Sequence, residues 1–212
     1  RRDSMMKPPQ IAALAVAALI PVGVLTWSSV PPQTEELADG TLRVRVEFSG
    51  GYETDPVDHG RPVRLIAGAL GVDPEVFRDA FSRVNPAPAG SHPDHERVRE
   101  NKEALMSALG PFGITNDRLD DVSDQYRYEP GRGGLWPHKV ATAYAIVKDG
   151  AVTRFEVTDP GYGYNAPPKI KVPGIDGSPY ETLFVAELSF GPDFEKNGSI
   201  FSIAGSGWAE ED

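Results

Sequence analysis

The sequence predicts an α+β protein led by an apolar N-terminal helix, and three observations predict it. Residues 11–27 form an uncharged apolar run, residues 41–48 alternate apolar and charged side chains, and residues 62–109 carry apolar stripes at helical spacing between Pro and Gly breaks. Hydrophobic residues make up 40% of the 212 and charged residues 25%. Both values are close to ordinary globular usage, so a packed core is expected rather than disorder. The 22 Gly and 20 Pro favour short elements and tight loops over a long helical bundle.

The leading run reads IAALAVAALIPVGVLTW, with Arg1, Arg2 and Lys7 ahead of it, the order of basic and apolar regions in an export signal. Its length falls between a signal core and a membrane span of ~20 residues, and Pro21 and Gly23 interrupt it. Residues 1–30 therefore read as a cleaved signal peptide or as a retained membrane anchor, with a buried core helix as the third alternative. A retained anchor leaves the N-terminus inside and the acidic remainder outside. The expected location is periplasmic or extracellular, tethered to the inner membrane through residues 11–27 if the segment stays.

The chain carries a formal charge of −10, and residues 1–30 are +2, so the remainder is −12. Such a field repels phosphate backbones, and no nucleic-acid partner is expected. The absence of cysteine excludes disulfides, thiolate metal sites, a cysteine nucleophile and a lipidated cysteine anchor.

Residues 31–40, polar and broken by Pro and Gly, read as a linker. From Thr41, TLRVRVEF places Leu42, Val44, Val46 and Phe48 on one face of a strand. Pro62 opens a helix that Gly71 ends. Asp73 and Pro74 begin a second, with Val76, Phe77, Ala80, Phe81 and Val84 on its stripe. A third runs over residues 93–109 and closes at Gly110. Residues 41–138 thus form an α+β region with three expected helices, and VSDQYRYEP reads as a strand before an exposed loop holding Trp136. Residues 139–206 read as antiparallel sheet. Their clearest feature is a hairpin of VATAYAIVK and AVTRFEVT joined by Asp149-Gly150, a dipeptide suited to a turn whose two central residues need φ > 0. Strands are also expected at residues 169–172, 182–189 and 199–204, ahead of an acidic tail at 207–212.

Within this region Val152, Phe155, Val157, Gly161, Gly163, Tyr164, Pro168, Ile170 and Val172 fit the pattern G-x-V-x-x-h-x-V-x-x-x-G-x-G-Y-x-x-x-P-x-h-x-h, where h is apolar. Residues 149–174 therefore resemble a β-rich unit of bacterial surface and secreted proteins and of phage fibre-like proteins. That resemblance implies a structural or adhesive building block. The whole chain resembles uncharacterised bacterial exported proteins that join an anchor, a small helical region and this unit. Residues 101–130, where a helix ends at Gly110 and an acidic turn leads towards Tyr126 and Tyr128, are similar to the helix-to-strand passage of periplasmic SIMPL-type proteins, whose opening strand and early motifs are not matched.

Three sets of residues are candidates for chemistry or binding. Tyr162 and Tyr164, with Trp136 and either Tyr126 or Tyr128, would form a patch for a protein or glycan if their rings were exposed together, the alternative being cross-strand packing. Asp58 and His59, followed by Arg61, would suit proton transfer, the alternative being a helix cap beside a solvated imidazole. His92, Asp94 and His95 would share a divalent ion, or else simply begin a helix whose dipole favours acidic residues. Phosphate loops, nucleophile elbows and dinucleotide turns are absent, and no cofactor is expected. These readings favour an exported, non-enzymatic binding or structural module over a hydrolase or metal-dependent enzyme using Asp58/His59 or His92/His95. They leave the oligomeric state open.

Overall fold

A computed structural model describes residues 33–85, 94–127, 134–175 and 184–205. These belong to one compact unit and form a mixed α+β fold of helices and antiparallel sheets. Residues 11–27, His92, Tyr128 and the acidic tail lie outside the described residues. Among those described, no helix is long and apolar enough to cross a membrane.

The strands are β1 (Thr34–Glu36), β2 (Leu42–Arg45), β3 (Glu47–Ser49), β4 (Thr142–Lys148), β5 (Ala151–Asp159), β6 (Lys169–Lys171), β7 (Phe184–Ser189) and β8 (Ser199–Gly205). One antiparallel sheet has the order β1-β2-β4-β5, and β3 pairs with β6 and β7 with β8. The alternation in residues 41–48 holds in part: Val44 and Val46 are buried and Arg43 and Arg45 half-buried, but Leu42 is exposed and Phe48 only half-buried. The single expected strand is split, however. Val46 donates its N–H to Ala143 O, and beyond it the chain leaves β4 to pair with β6. The turn between β4 and β5 is built as expected, with Asp149 at φ 51° and Gly150 at φ 79°.

Two expectations are corrected. Residues 34–36 of the supposed linker form β1, paired with β2 from Thr34↔Val44 to Glu36↔Leu42. The described residues also hold four α-helices rather than three: α1 (Val63–Leu70), α2 (Pro74–Ser82), α3 (His95–Leu109) and α4 (Asn116–Gln125). The fourth occupies the acidic turn and the first half of the stretch read as a Tyr-bearing strand. Thr115 caps it by accepting from the Arg118 N–H, and Leu119 and Val122 are its buried stripe. A three-residue apolar spacing within a mostly polar segment carried that helix, and the alternation in DQYRY masked it.

The core has two clusters. In the helical one, Val63, Leu65, Ile66 and Leu70 of α1 meet Phe77, Leu109, Leu119, Val122 and Trp136. Full burial of a side chain such as Leu65 stabilises by about 1.5–3 kcal/mol. In the sheet cluster Ala143, Ala145 and Val147 of β4 leave room for Tyr164, Ile170, Ile200 and Ile203. The 41–138 and 139–206 regions are therefore not separable bodies, since β2 and β3 from the first are paired with β4 and β6 from the second.

Candidate functional site

The Gly-rich loop after β5 is a structural joint. Gly161, at φ 61°, lies so close to the Lys139 carbonyl that a Cβ there would collide with backbone. This close approach lets Tyr162 exchange two backbone hydrogen bonds with Lys139. Tyr164 then turns inward, 1% exposed, and its hydroxyl accepts the Ala141 N–H at 2.9 Å. Its ring stacks on Tyr52, with centroids 5.5 Å apart, and packs onto Gly51, where a Cβ would come within 2.6 Å of the ring. The Trp136 indole N–H donates to Gly163 O at 2.8 Å. Asn165 donates its backbone N–H to Gly51 O and its side-chain amide to Glu53 O.

The expected aromatic patch is corrected accordingly. Trp136, Tyr126 and Tyr164 are all buried, so their rings do not form a shared exposed patch. Tyr162 is half-buried and Tyr128 lies outside the described residues. Tyr126 belongs to a different joint, centred on the fully buried Asn197, whose amide donates to Tyr126 Oη at 2.8 Å and to Leu65 O at 2.7 Å while its oxygen accepts the Gly191 N–H. Burial pushes the Tyr126 phenol up to about 12, against the hydrogen bond from Asn197. The polar hub at Asn197 has no local sequence signal, because its partners stand far away along the chain.

The Asp58/His59 pair is not brought together for proton transfer. Asp55, rather than Asp58, caps the 3-10 turn Pro56–Asp58. Asp58 is buried, and both carboxylate oxygens are taken by Arg78 of α2, at 2.8 and 2.9 Å. That bidentate bond holds the Arg78 guanidinium well above its ordinary value. His59 sits exposed in the left-handed region at φ 51°. Its ring makes no hydrogen bond to Asp58, so the base a catalytic dyad would need is already neutralised by an arginine.

For the metal candidate, Asp94 is the N-cap of α3 and accepts the Arg97 N–H at 2.8 Å, while His95 is exposed on the first turn. Among the described residues no group of three or more His, Asp or Glu is arranged to hold a metal ion.

What the fold does build beside Asp58 is a cleft of about 440 Å³ lined by Asp58, Arg61, Phe77, Arg78 and Phe81. A smaller chamber of about 190 Å³ shares Arg61, Phe77 and Phe81 with it and continues to Ile66, Leu119 and Val122. Arg61 sits 4.0 Å above the Phe81 ring, and burial lowers its pKa. The sequence pointed to Asp58 and Arg61, but beside His59 and for proton transfer; Phe77 and Phe81 read as core stripe, so the cleft they share with Arg61 had no signal beyond a basic residue next to the Pro that opens α1.

The fold and the cleft define a mixed α+β protein with a built concave surface. No family model matches the chain, and no curated protein or solved structure matches it.

Proposed function

We propose that the chain is an exported, non-enzymatic binding or structural module of the bacterial cell envelope, making contacts to protein or glycan through its β-rich half. The observation that carries this reading is the uncharged run IAALAVAALIPVGVLTW behind basic residues and ahead of a strongly acidic body. In the finer reading of the fold, that run is an apolar helix used as a signal or an anchor. Two further features support the proposal. The residues of the GxGYxxxP-type unit that pack the seam serve architecture, as in a structural module. The β7–β8 hairpin leaves Val185 52% and Phe201 76% exposed, apolar area suited to a contact surface.

Fractionation of bacterial cells producing the full chain, with mass spectrometry of its N-terminus, tests this. Recovery in the envelope or outside the cell is expected, either shortened near residue 30 or intact in the membrane. Intact chain dissolved in the cytosol overturns the proposal. Capture of envelope components should weaken with Phe201→Ser, and unchanged capture counts against the hairpin as the contact surface.

A further inference from the structure

We infer that the Arg61 cleft is a binding site for a monoanionic ligand with an apolar body ending in a carboxylate. Against a net charge of −10, the cleft and the chamber that share Arg61, Phe77 and Phe81 are lined by three guanidiniums, Arg61, Arg78 and Arg127, and one carboxylate, Asp58. Arg78 is bound to Asp58 and Arg127 is paired with Asp124. Arg61 is the exception: among the described residues its guanidinium makes no hydrogen bond or ion pair with a carboxylate, Asp58 acts on it only through space, and it stacks on the Phe81 ring.

A partly desolvated guanidinium with no carboxylate bonded to it is an incomplete arrangement, because the ring quadrupole and the distant Asp58 charge replace only part of the lost hydration. Among the described residues that line the two spaces, Arg61 is the guanidinium with no carboxylate bonded to it, since Arg78 also holds Glu75, so a single carboxylate suits it. Stacking on Phe81 occupies a face of the guanidinium and leaves its N–H donors, which lie in the plane, for a planar acceptor; a carboxylate meets that fork with two parallel hydrogen bonds. The chamber behind Arg61, walled by Phe77, Ile66, Leu119 and Val122, takes the apolar body. Among the described residues a doubly charged phosphate would find no second guanidinium without a bonded carboxylate there, and a neutral apolar molecule would leave the Arg61 N–H donors unused.

The carboxylate is either that of a free acid or the C-terminus of a peptide ending in an apolar residue. The inference deepens the binding reading, but it is tested on purified protein, so its failure and failure of the export test are separate results. Calorimetric titration of the full chain with 3-phenylpropionate and with 3-phenylpropanamide compares the same body with and without the charge. The acid should bind about tenfold or more tightly than the amide, the factor expected for one charge-assisted pair. Arg61→Gln should erase that difference, and Arg61→Lys should keep part of it, with circular dichroism showing each variant folded. A peptide Gly-Gly-Gly-Phe with a free C-terminus, set against its amidated form, separates the two sources: tighter binding than the free acid assigns the site to peptide termini, and weaker binding assigns it to small acids. Equal affinity for acid and amide, or full retention of the difference in Arg61→Gln, or no saturable binding by any of the probes, overturns the inference.

Discussion

Two Gly-rich loops, SGGYETDPVDHGRP and DPGYGYNAPP, look alike in sequence, each mixing Gly, Pro, Tyr and acidic residues. The fold uses them in opposite ways. In the second loop the Tyr164 hydroxyl, the Gly163 carbonyl and the Asn165 amide N–H groups all meet partners within the molecule. In the first, the Gly51-Tyr52 end joins that same closed seam, whereas the Asp58-to-Arg61 end borders a cleft and leaves the Arg61 guanidinium on an aromatic face with no carboxylate bonded to it among the described residues. Aromatic residues beside glycine were thus a sign of close packing here. The open position lies where a buried acid has chosen between two arginines.

The largest effect should come from breaking that choice. Arg78→Met leaves Asp58, 5% exposed, without its bidentate partner. An uncompensated buried carboxylate costs about 3–5 kcal/mol, which urea unfolding at pH 7 would measure. If Arg61 swings across to replace Arg78, the loss should be smaller and the cleft should lose its free cation. A loss below about 1 kcal/mol with undiminished acid binding would contradict the division of labour between the two arginines.

The closed joint is next. Asn197→Leu removes hydrogen bonds to Leu65 O and Tyr126 Oη and leaves the Gly191 N–H without its acceptor. Stranding buried polar groups in this way should cost about 2–4 kcal/mol. Chemical denaturation should show the loss with the slope of the transition unchanged. Near-wild-type stability would mean that water replaces the amide and that the hub is not what joins α1 to the β7–β8 connection.

These two sites also show what the sequence could reveal. The hairpin, α1, α2 and the inward face of β2 were legible, because period and turn chemistry act over a few neighbouring residues. The helix α4 was hidden behind charges, since Leu119 and Val122 are its only buried residues. The candidate site was less legible still. Asp58 meets a partner twenty positions on, and Asn197 reaches back to Leu65 across 132. Neither pairing follows from local propensity. The aromatic patch stood open against cross-strand packing for a related reason: local sequence does not decide between them, and at Tyr164 the missing Cβ atoms of Gly51 and Gly198 let other chain segments close over that residue.

The alkaline limit gives a smaller and more selective comparison. Burial raises Tyr126 from 10.0 to about 12 in the folded protein, and Tyr52 is raised to about 12 as well, again mainly by burial. The folded state then holds a phenolic proton that the unfolded chain releases earlier. The associated stability is present in full below pH 10 and is lost as pH climbs towards 12, with a slope of at most about 1.4 kcal/mol per pH unit for one fully buried group. Tyr126→Phe should flatten the pH 10–12 limb of a stability profile, with Tyr52 keeping part of it. Equal slopes in both proteins would show that Tyr126 ionises without opening the hub.

The smallest effects divide the second loop within itself. Tyr164 and Tyr162 are two residues apart, but the former has a buried hydroxyl that satisfies the Ala141 N–H, whereas the bridge of the latter to Lys139 uses backbone atoms alone. Tyr164→Phe should therefore cost about 1–3 kcal/mol, the cost of a buried donor left unpaired. Tyr162→Ala, at a half-buried ring, should cost only about 0.5 kcal/mol. Thermal unfolding of the two variants side by side separates them. If Tyr162→Ala proved as costly as Tyr164→Phe, its ring would have to contribute packing that its backbone bridge does not explain, and the loop would be closed by two side chains instead of one.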